Sequence, residues 1–198
     1  MQAELQRVRP NGAKPPGMFA SPLAPPAGAG GPMRAGRTEF LRAMSNVANS
    51  VTVVATDGPG GRFGQTVSSF CSVSADPPQM LCCIRAASPV RGAIEMNGCF
   101  AINVLSDRQA DIADAFAGRP ARFPAYSFNS ISHGLDENGC PMIGGSSSLY
   151  SCRLVNAVSS GSHVVFIGNV TWAGYGADAP LLYRARGYGR HAGLEQSR

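Results

Sequence analysis

The chain has 198 residues and a formal net charge of +5 at pH 7, a length that fits one domain with a tail. Residues 1–36 contain four basic residues and one acidic residue, so the rest is only slightly basic and gives no reason to expect a nucleic-acid partner. The single lysine, Lys14, lies in this segment. This excludes a Schiff-base lysine and the phosphate-binding pattern GxxxxGK[ST] from the remaining chain.

The cysteines and the hydropathy indicate the compartment. The six cysteines, at 71, 82, 83, 99, 140 and 152, show neither CxxC nor paired metal-ligand spacing. We therefore expect reduced thiols, no metal site and a cytoplasmic protein. No apolar run is long enough for a membrane span, and the N-terminus lacks a secretory signal, so we expect no membrane partner.

The N-terminal segment differs in composition from the rest. Residues 1–36 hold seven of the fifteen prolines and six glycines, which predicts a disordered or loosely packed tail. Residues 37–190 form the predicted domain, and residues 191–198 a C-terminal tail. The domain opens with apolar residues at helical spacing, which predict a helix that Thr38 caps and that ends near Asn49.

Strands dominate the remaining pattern. Runs of β-branched and apolar residues predict six or seven strands, at 50–56, 64–74, 80–84, 99–105, 149–158, 163–173 and 180–183.

Ser88-Pro89 predicts a helix that runs to about Met96, and Ser106 with Gln109 predicts a capping box for a helix through Phe116. Residues 119–148 lack a clear pattern. Because closing strands into a barrel removes exposed edges, we expect a mainly β fold, a small barrel with α insertions, with a mixed α/β sheet as the alternative.

Three features of this pattern could bind a ligand. The stretch 64–70 combines a glycine with small hydroxyl residues on a strand. Arg85 precedes the helix start at Ser88, where unpaired N–H groups and an arginine could hold a phosphate. His163 lies at the mouth of a strand. The sequence offers no metal cluster, nucleophile or fixed base, a pattern typical of a protein that takes its chemistry from a bound cofactor.

The order of the segments resembles that of the flavin reductase family, whose fold is the FMN-binding split barrel. The matching pieces span roughly residues 37–190 and lie at 50–56, 64–70, 74–78, 100–105, 115–118, 122–123, 161–163, 166, 180–183 and 187–188. They are most similar to the reductase components of two-component aromatic monooxygenases, such as the 4-hydroxyphenylacetate type.

The resemblance implies an activity and partners. It implies NADH-dependent reduction of free flavin, with hydride passing from nicotinamide to flavin N5, by a homodimer that supplies reduced flavin to a monooxygenase. FMN and FAD remain open as the flavin, and NADPH is possible in place of NADH. Two alternatives are a flavin carrier or sensor without nicotinamide-dependent catalysis, and a basic barrel that associates with nucleic acid through its tail.

The resemblance also implies which residues contact the cofactors. The predicted cofactor-binding residues are Thr66, Val67, Ser68, Ser69, Ile84, Arg85, Ser88, Asn103, His163 and Tyr188. Of these, Ser88 and Arg85 are expected at the flavin phosphate and Asn103 along the flavin. His163 is expected to approach both flavin and nicotinamide and is the predicted catalytic residue. Ser69 can reach the flavin only if its strand bends or if its backbone makes the contact.

Overall fold

The computed structural model describes residues 36–119 and 122–193. Its three helices are α1 (Arg37–Ser45), α2 (Pro89–Asn97) and α3 (Ala110–Phe116). Its strands are β1 (Asn49–Ser50), β2 (Thr52–Thr56), β3 (Phe63–Val67), β4 (Phe70–Ala75), β5 (Pro78–Arg85), β6 (Cys99–Val104), β7 (His133–Leu135), β8 (Pro141–Ile143), β9 (Ser148–Ser160), β10 (His163–Tyr175), β11 (Leu181–Arg184) and β12 (Gly187–Arg190). No helix among the described residues has the length and apolar character that a membrane crossing requires. The predicted tails lie almost entirely outside these ranges, so the division into tail and domain stays a prediction.

Seven strands form one antiparallel sheet in the order β3-β2-β6-β9-β10-β5-β4. A three-stranded sheet, β1-β11-β12, and the hairpin β7-β8 accompany it. The large sheet is covered on both faces at β2, because Val54 packs with α2 in one core cluster while Val53 packs with α3 in another. The predicted mainly β fold with helical insertions is confirmed.

The two edges of the large sheet are consecutive in the chain. Strand β3 ends at Val67, and β4 begins at Phe70 on the opposite edge, so Ser68 and Ser69 connect the edges across a bend. The Ser69 carbonyl accepts a hydrogen bond of 2.9 Å from the Cys83 N–H. The sheet therefore curls towards closure but is split between β3 and β4, as the expected split barrel requires.

Helix α2 follows its sequence signals closely. Ser88 is the N-cap, with its hydroxyl accepting from the Val90 N–H, Pro89 occupies the first turn, and Gly98 ends the helix at φ 68°. The apolar face of the helix buries Val90 and Ile94 in the core. Because the cap and the proline both act within the first turn, the sequence alone predicts the start of this helix correctly.

Two other helix predictions need correction. Helix α1 begins at Arg37 and ends at Ser45, so Thr38 lies inside it instead of capping it, and the helix stops before Asn49. Helix α3 begins at Ala110, after the predicted capping box. Only one half of that box forms, since the Gln109 side chain accepts from the Ser106 N–H at 2.9 Å while no side chain caps the helix.

The strands also differ from the prediction in places. The expected strand at 50–56 breaks at Val51, whose N–H donates instead to the Leu181 carbonyl. The β7-β8 hairpin forms within residues 119–148, where no strand was expected, and β12 is an additional strand. Each of the missed strands has only three or four residues, too few to show an alternating pattern.

The packing around position 64 leaves room only for a glycine. A Cβ atom built on this residue would lie 2.8 Å from both the Phe116 and the Phe128 rings. We expect Gly64→Ala to lower the free energy of unfolding by about 1–3 kcal/mol, because these rings must shift from a packed position. Urea denaturation measures this. Gly92→Ala is the control, since nothing lies within 4 Å of its added Cβ, and alanine in a helix should raise stability by about 0.5–1 kcal/mol. Equal stabilities for the two variants would contradict the packing argument.

Candidate functional site

A cavity of about 280 Å³ opens at the split between β3 and β4. Its wall is amphipathic, with hydroxyl and amide groups from β3 and the following bend, aromatic rings from β11 and β12, and positive charge from two arginines. The lining residues are Val51, Gln65, Thr66, Val67, Ser68, Ser69, Cys83, Arg85, Ala117, Arg119, His163, Tyr183 and Tyr188. None of these carries a carboxylate, so the cavity favours a flat, partly polar ligand that carries or develops negative charge.

The polar wall is set by the end of β3. Thr66 donates its hydroxyl proton to the Ala113 carbonyl at 2.7 Å, which joins β3 to α3 and leaves the oxygen lone pairs as acceptors. Ser68 and Ser69 are exposed and lie in the bend, where the alternation of a strand no longer applies. The bend that Ser69 needs in order to face the site is therefore present.

His163 and Arg85 lie opposite each other on neighbouring strands. They are paired residues of β10 and β5, and both line the cavity. Ser162 Oγ lies 2.9 Å from His163 Nδ1, which orients the ring and leaves Nε2 for another partner. The site thus combines an oriented imidazole with a guanidinium on one wall.

Tyr188 belongs to a hydrogen-bonded cluster with Asp114 and Arg119. Its hydroxyl donates to Asp114 Oδ1 at 2.8 Å and accepts from Arg119 Nη2 at 3.3 Å, while Arg119 also contacts Asp114 at 3.0 Å. Tyr183 packs edge-on against the Tyr188 ring at 5.5 Å between centroids. The cluster fixes the Tyr188 ring and the Arg119 guanidinium at the cavity.

Burial, with the hydrogen bond to Asp114, raises the pKa of Tyr188 to about 12, against 10.0 for an ordinary tyrosine. The folded protein therefore holds this proton more tightly than the unfolded chain does. The resulting stability is complete below pH 10 and is lost as pH rises from 10 to about 12. We expect Tyr188→Phe to remove this contribution, so the stability difference between wild type and variant should narrow across that range. Urea denaturation at several pH values from 8 to 12 measures the free energy of unfolding of both proteins. If their difference stays constant over this range, the raised pKa of Tyr188 is contradicted.

A second cavity, of about 650 Å³, adjoins the first. The two share Gln65, Thr66, Arg85 and Ala117 as lining residues. The remaining wall comes from the start of α2 and from three aromatic residues, Phe63, Phe116 and Tyr126.

Ser88 lies in this second cavity at the start of α2. Its hydroxyl already donates to Gln65 Oε1 at 2.6 Å and accepts from the Val90 N–H at 3.3 Å. Its direct role is to cap the helix and to hold Gln65, which lines both cavities. A phosphate near Ser88 would also meet Arg85.

Two of the predicted site residues do not reach either cavity. The Asn103 side chain is fully buried. It donates to the Val53 and Pro141 carbonyls and accepts from the Ile143 N–H. Its amide joins β6 to β2 and β8, so the residue lines neither cavity, and its place along a flavin stays a prediction that the structure does not support. Ile84 is equally buried and packs in the core, since its neighbours Cys83 and Arg85 occupy the cavity face of β5.

Sequence reasoning missed several lining residues that come from distant segments. These are Val51, Gln65, Cys83, Ala117, Arg119 and Tyr183. Gln65 stands beside predicted residues and could have been included. Arg119 carries no such signal, because its place depends on the end of α3 and on hydrogen bonds to a residue 69 positions away.

Residues 44–192 match the model of the flavin reductase like domain family. The chain is 34% identical over 161 residues to the FMN reductase (NADH) RutF of Ancylobacter novellus, covering 81% of this chain and 88% of that protein. Among solved structures it is similar to BorF, the flavin reductase component of a bacterial two-component tryptophan halogenase, with 27% identity and a TM-score of 0.69 over 77% of this chain and 97% of BorF. It is also similar to the Streptomyces globisporus NADH:FAD oxidoreductase SgcE6 in complex with NAD and FAD fragments, with 26% identity and a TM-score of 0.72 over 81% of this chain and 95% of that one. The chain belongs to the flavin reductase like family.

Proposed function

We propose that this protein uses NADH to reduce a flavin that binds and leaves, and that it supplies the reduced flavin to a partner oxygenase. The cavity at the split between β3 and β4 carries the proposal, since it joins small hydroxyls, aromatic rings, a histidine and two arginines without a carboxylate among its lining residues. A relative named FMN reductase (NADH) supports the flavin and the reductant.

The residues present fit a flavin ring. Val51, Val67 and Tyr188 offer apolar surface for the isoalloxazine, while Ser68 and Ser69 in the bend offer hydrogen bonds to its polar edge. Arg85, beside the α2 start, offers charge to the flavin phosphate. When bound, flavin supplies the acceptor atom N5 for hydride from the nicotinamide.

The chain's own contribution is positioning and electrostatics. Arg85 places positive charge at the cavity and would stabilise the negative charge of a reduced ring, while Arg119 shares its charge with Asp114 at 3.0 Å. His163, whose ring Ser162 contacts at Nδ1, would hold the nicotinamide beside the flavin-facing wall, and such positioning is what hydride transfer requires. No residue needs to form a covalent bond.

NADH oxidation at 340 nm, measured with and without added FMN, FAD or riboflavin, tests this function. We expect oxidation that depends on added flavin and that continues over many turnovers, because the flavin is exchanged. A protein that binds flavin without oxidising NADH would be a carrier or sensor instead, and one that does neither would overturn the proposal.

We also propose that the protein is a homodimer in the cytoplasm. Val73 on β4 and two valines of β9, Val155 and Val158, are about half-exposed, and apolar surface of this kind supports burial against a second copy. All six cysteines are free thiols, as expected in a reducing compartment. Sedimentation equilibrium tests the dimer. Val155→Glu should shift the monomer–dimer equilibrium towards monomer. An unchanged equilibrium would show that Val155 does not lie in the dimer interface.

A further inference from the structure

Two cysteines that line neither cavity lie in direct contact with each other. Cys140 Sγ donates a hydrogen bond to Cys99 Sγ at 3.3 Å, although the two residues are 41 positions apart in the chain. All six cysteines lie within the described residues, and this is the pair whose sulfur atoms meet in a hydrogen bond. Since the sulfur atoms of a disulfide are about 2.05 Å apart, an approach of about 1.3 Å would bond them.

Hydrogen bonds fix the backbone on both sides of this contact. Cys99 opens β6 and is paired there with Arg153 of β9. Cys140 lies in the turn between β7 and β8, where its N–H donates to Asp136 Oδ1 at 2.8 Å and its carbonyl accepts from the Asp136 N–H at 3.0 Å. The folded chain therefore keeps the two thiols together.

The two thiols differ in access and in proton affinity. Cys99 keeps 6% of its surface exposed, whereas Cys140 is completely buried. Burial and the hydrogen bond to Cys99 raise the pKa of the Cys140 thiol, so Cys140 keeps its proton and is the donor. The Cys99 sulfur accepts that hydrogen bond and is the sulfur that a small oxidant reaches first.

We propose that Cys99 and Cys140 form a dithiol site that a hydroperoxide oxidises reversibly to a disulfide. The Cys99 sulfur attacks one oxygen of hydrogen peroxide, the O–O bond breaks, and the other oxygen leaves as water with the Cys99 proton. The Cys140 sulfur then attacks the sulfenic acid formed on Cys99. The S–S bond forms, the S–O bond breaks, and a second water leaves with the Cys140 proton. Two electrons pass from the thiols to the peroxide.

The proposed function supplies this oxidant. When reduced flavin leaves the protein, O2 takes two electrons and two protons from it and becomes hydrogen peroxide. In the reducing cytoplasm proposed for this protein, small thiols return the disulfide to two thiols. This source of peroxide rests on the proposed function, whereas the dithiol site rests on the geometry of the two cysteines.

The disulfide joins the β7-β8 hairpin covalently to the large sheet. It lies near the hydrogen bonds by which Asn103 of β6 already holds Pro141 and Ile143 of β8. A cross-link between residues 41 positions apart restricts the unfolded chain and so favours the folded protein. The oxidised protein is therefore expected to be more stable, with both cavities unchanged.

Peptide mapping of the full chain tests the site without turnover. The protein is treated with hydrogen peroxide, denatured, alkylated at its remaining thiols and digested with trypsin and chymotrypsin, which place Cys140 and Cys152 in different peptides. Mass spectrometry without reduction should find a Cys99–Cys140 cross-linked peptide that has lost two hydrogen atoms and that dithiothreitol separates into its two parts. The absence of this peptide, or a cross-link between other cysteines in its place, would overturn the proposal.

Variants and the melting temperature separate this pair from the other thiols. Cys140→Ser should abolish the cross-link, whereas the matched control Cys71→Ser should keep it, because Cys71 is exposed on β4. Oxidation should raise the Tm of the wild type by at least about 5 °C and leave that of Cys140→Ser within about 2 °C. An equal rise in both proteins would contradict the assigned pair. The wild-type peptide map decides the question even if Cys140→Ser does not fold.

The results also distinguish this site from the proposed function. A protein that forms the cross-link with added peroxide but oxidises no NADH in the presence of flavin would reject the proposed function alone. Normal flavin reduction by a protein that keeps six alkylated thiols after peroxide treatment would reject the dithiol site alone.

Discussion

Replacing His163 with alanine is expected to lower kcat/KM for NADH by about 10- to 100-fold, with little change in FMN affinity. The reason is positional: loss of the ring leaves the nicotinamide less well held against the flavin, and small misplacements of reacting groups have effects of this size. His163 is only half-buried and begins β10 at a hairpin. The free energy of unfolding should therefore change by less than about 1 kcal/mol.

Stopped-flow reduction of protein-bound FMN by NADH measures the effect directly. His191→Ala is the control, because this exposed histidine lines neither cavity. Ser162→Ala should give a smaller loss of about two- to fivefold, since it removes only the contact at Nδ1 that orients the ring. An unchanged reduction rate in His163→Ala would remove this residue from the mechanism, whereas equal losses of FMN binding and rate would indicate a flavin contact instead.

The sequence predicts best those features whose signals lie close together in the chain. Helix α2 is an example, because its cap and its proline lie next to each other at its start. The hairpin from β2 into β3 is another, since β-branched runs flank a turn rich in glycine. The polar stretch that follows lies at the split of the sheet, where eight of the ten predicted site residues line one cavity or the other.

The position of Asn103 away from both cavities depends on a hairpin that the sequence did not predict. The amide is satisfied by Pro141 and Ile143 of β8, and β8 was not expected because residues 119–148 show no strand pattern. When β8 is not known to pair with it, a polar residue on a buried strand is interpreted as a ligand contact. With it, the same residue is a buried hydrogen-bonding link in the core.

The Arg119 cluster could not be derived from spacing at all. Asp114, Arg119 and Tyr188 come from α3, the loop after it and β12, and only the folded chain brings them together. Tyr126 is a similar case, since a left-handed tyrosine follows from its contacts with Ala115 and Gly118 instead of from any local preference. Such residues define the site's charge and shape although their sequence positions carry no signal.

Arg85→Gln is expected to weaken FMN binding about tenfold and riboflavin binding by less than twofold. Arg85 lines both cavities beside the α2 N-terminus, so its guanidinium can bind a phosphate that FMN carries and riboflavin lacks. The Arg85 side chain is exposed, so water and salt screen its interaction with the phosphate. The expected loss of FMN affinity is therefore at the lower end of the range for a hydrogen bond to a charged group.

Titrations at two salt concentrations separate charge from shape. For wild type, FMN affinity should fall with added salt while riboflavin affinity stays constant, and in Arg85→Gln the salt dependence of FMN binding should shrink. Arg153→Gln is a matched control, because Arg153 is exposed on β9 and lines neither cavity. If Arg85→Gln weakened FMN and riboflavin equally, Arg85 would be shaping the ring site. If both affinities were unchanged, the phosphate would have to be held by the backbone N–H groups at the start of α2.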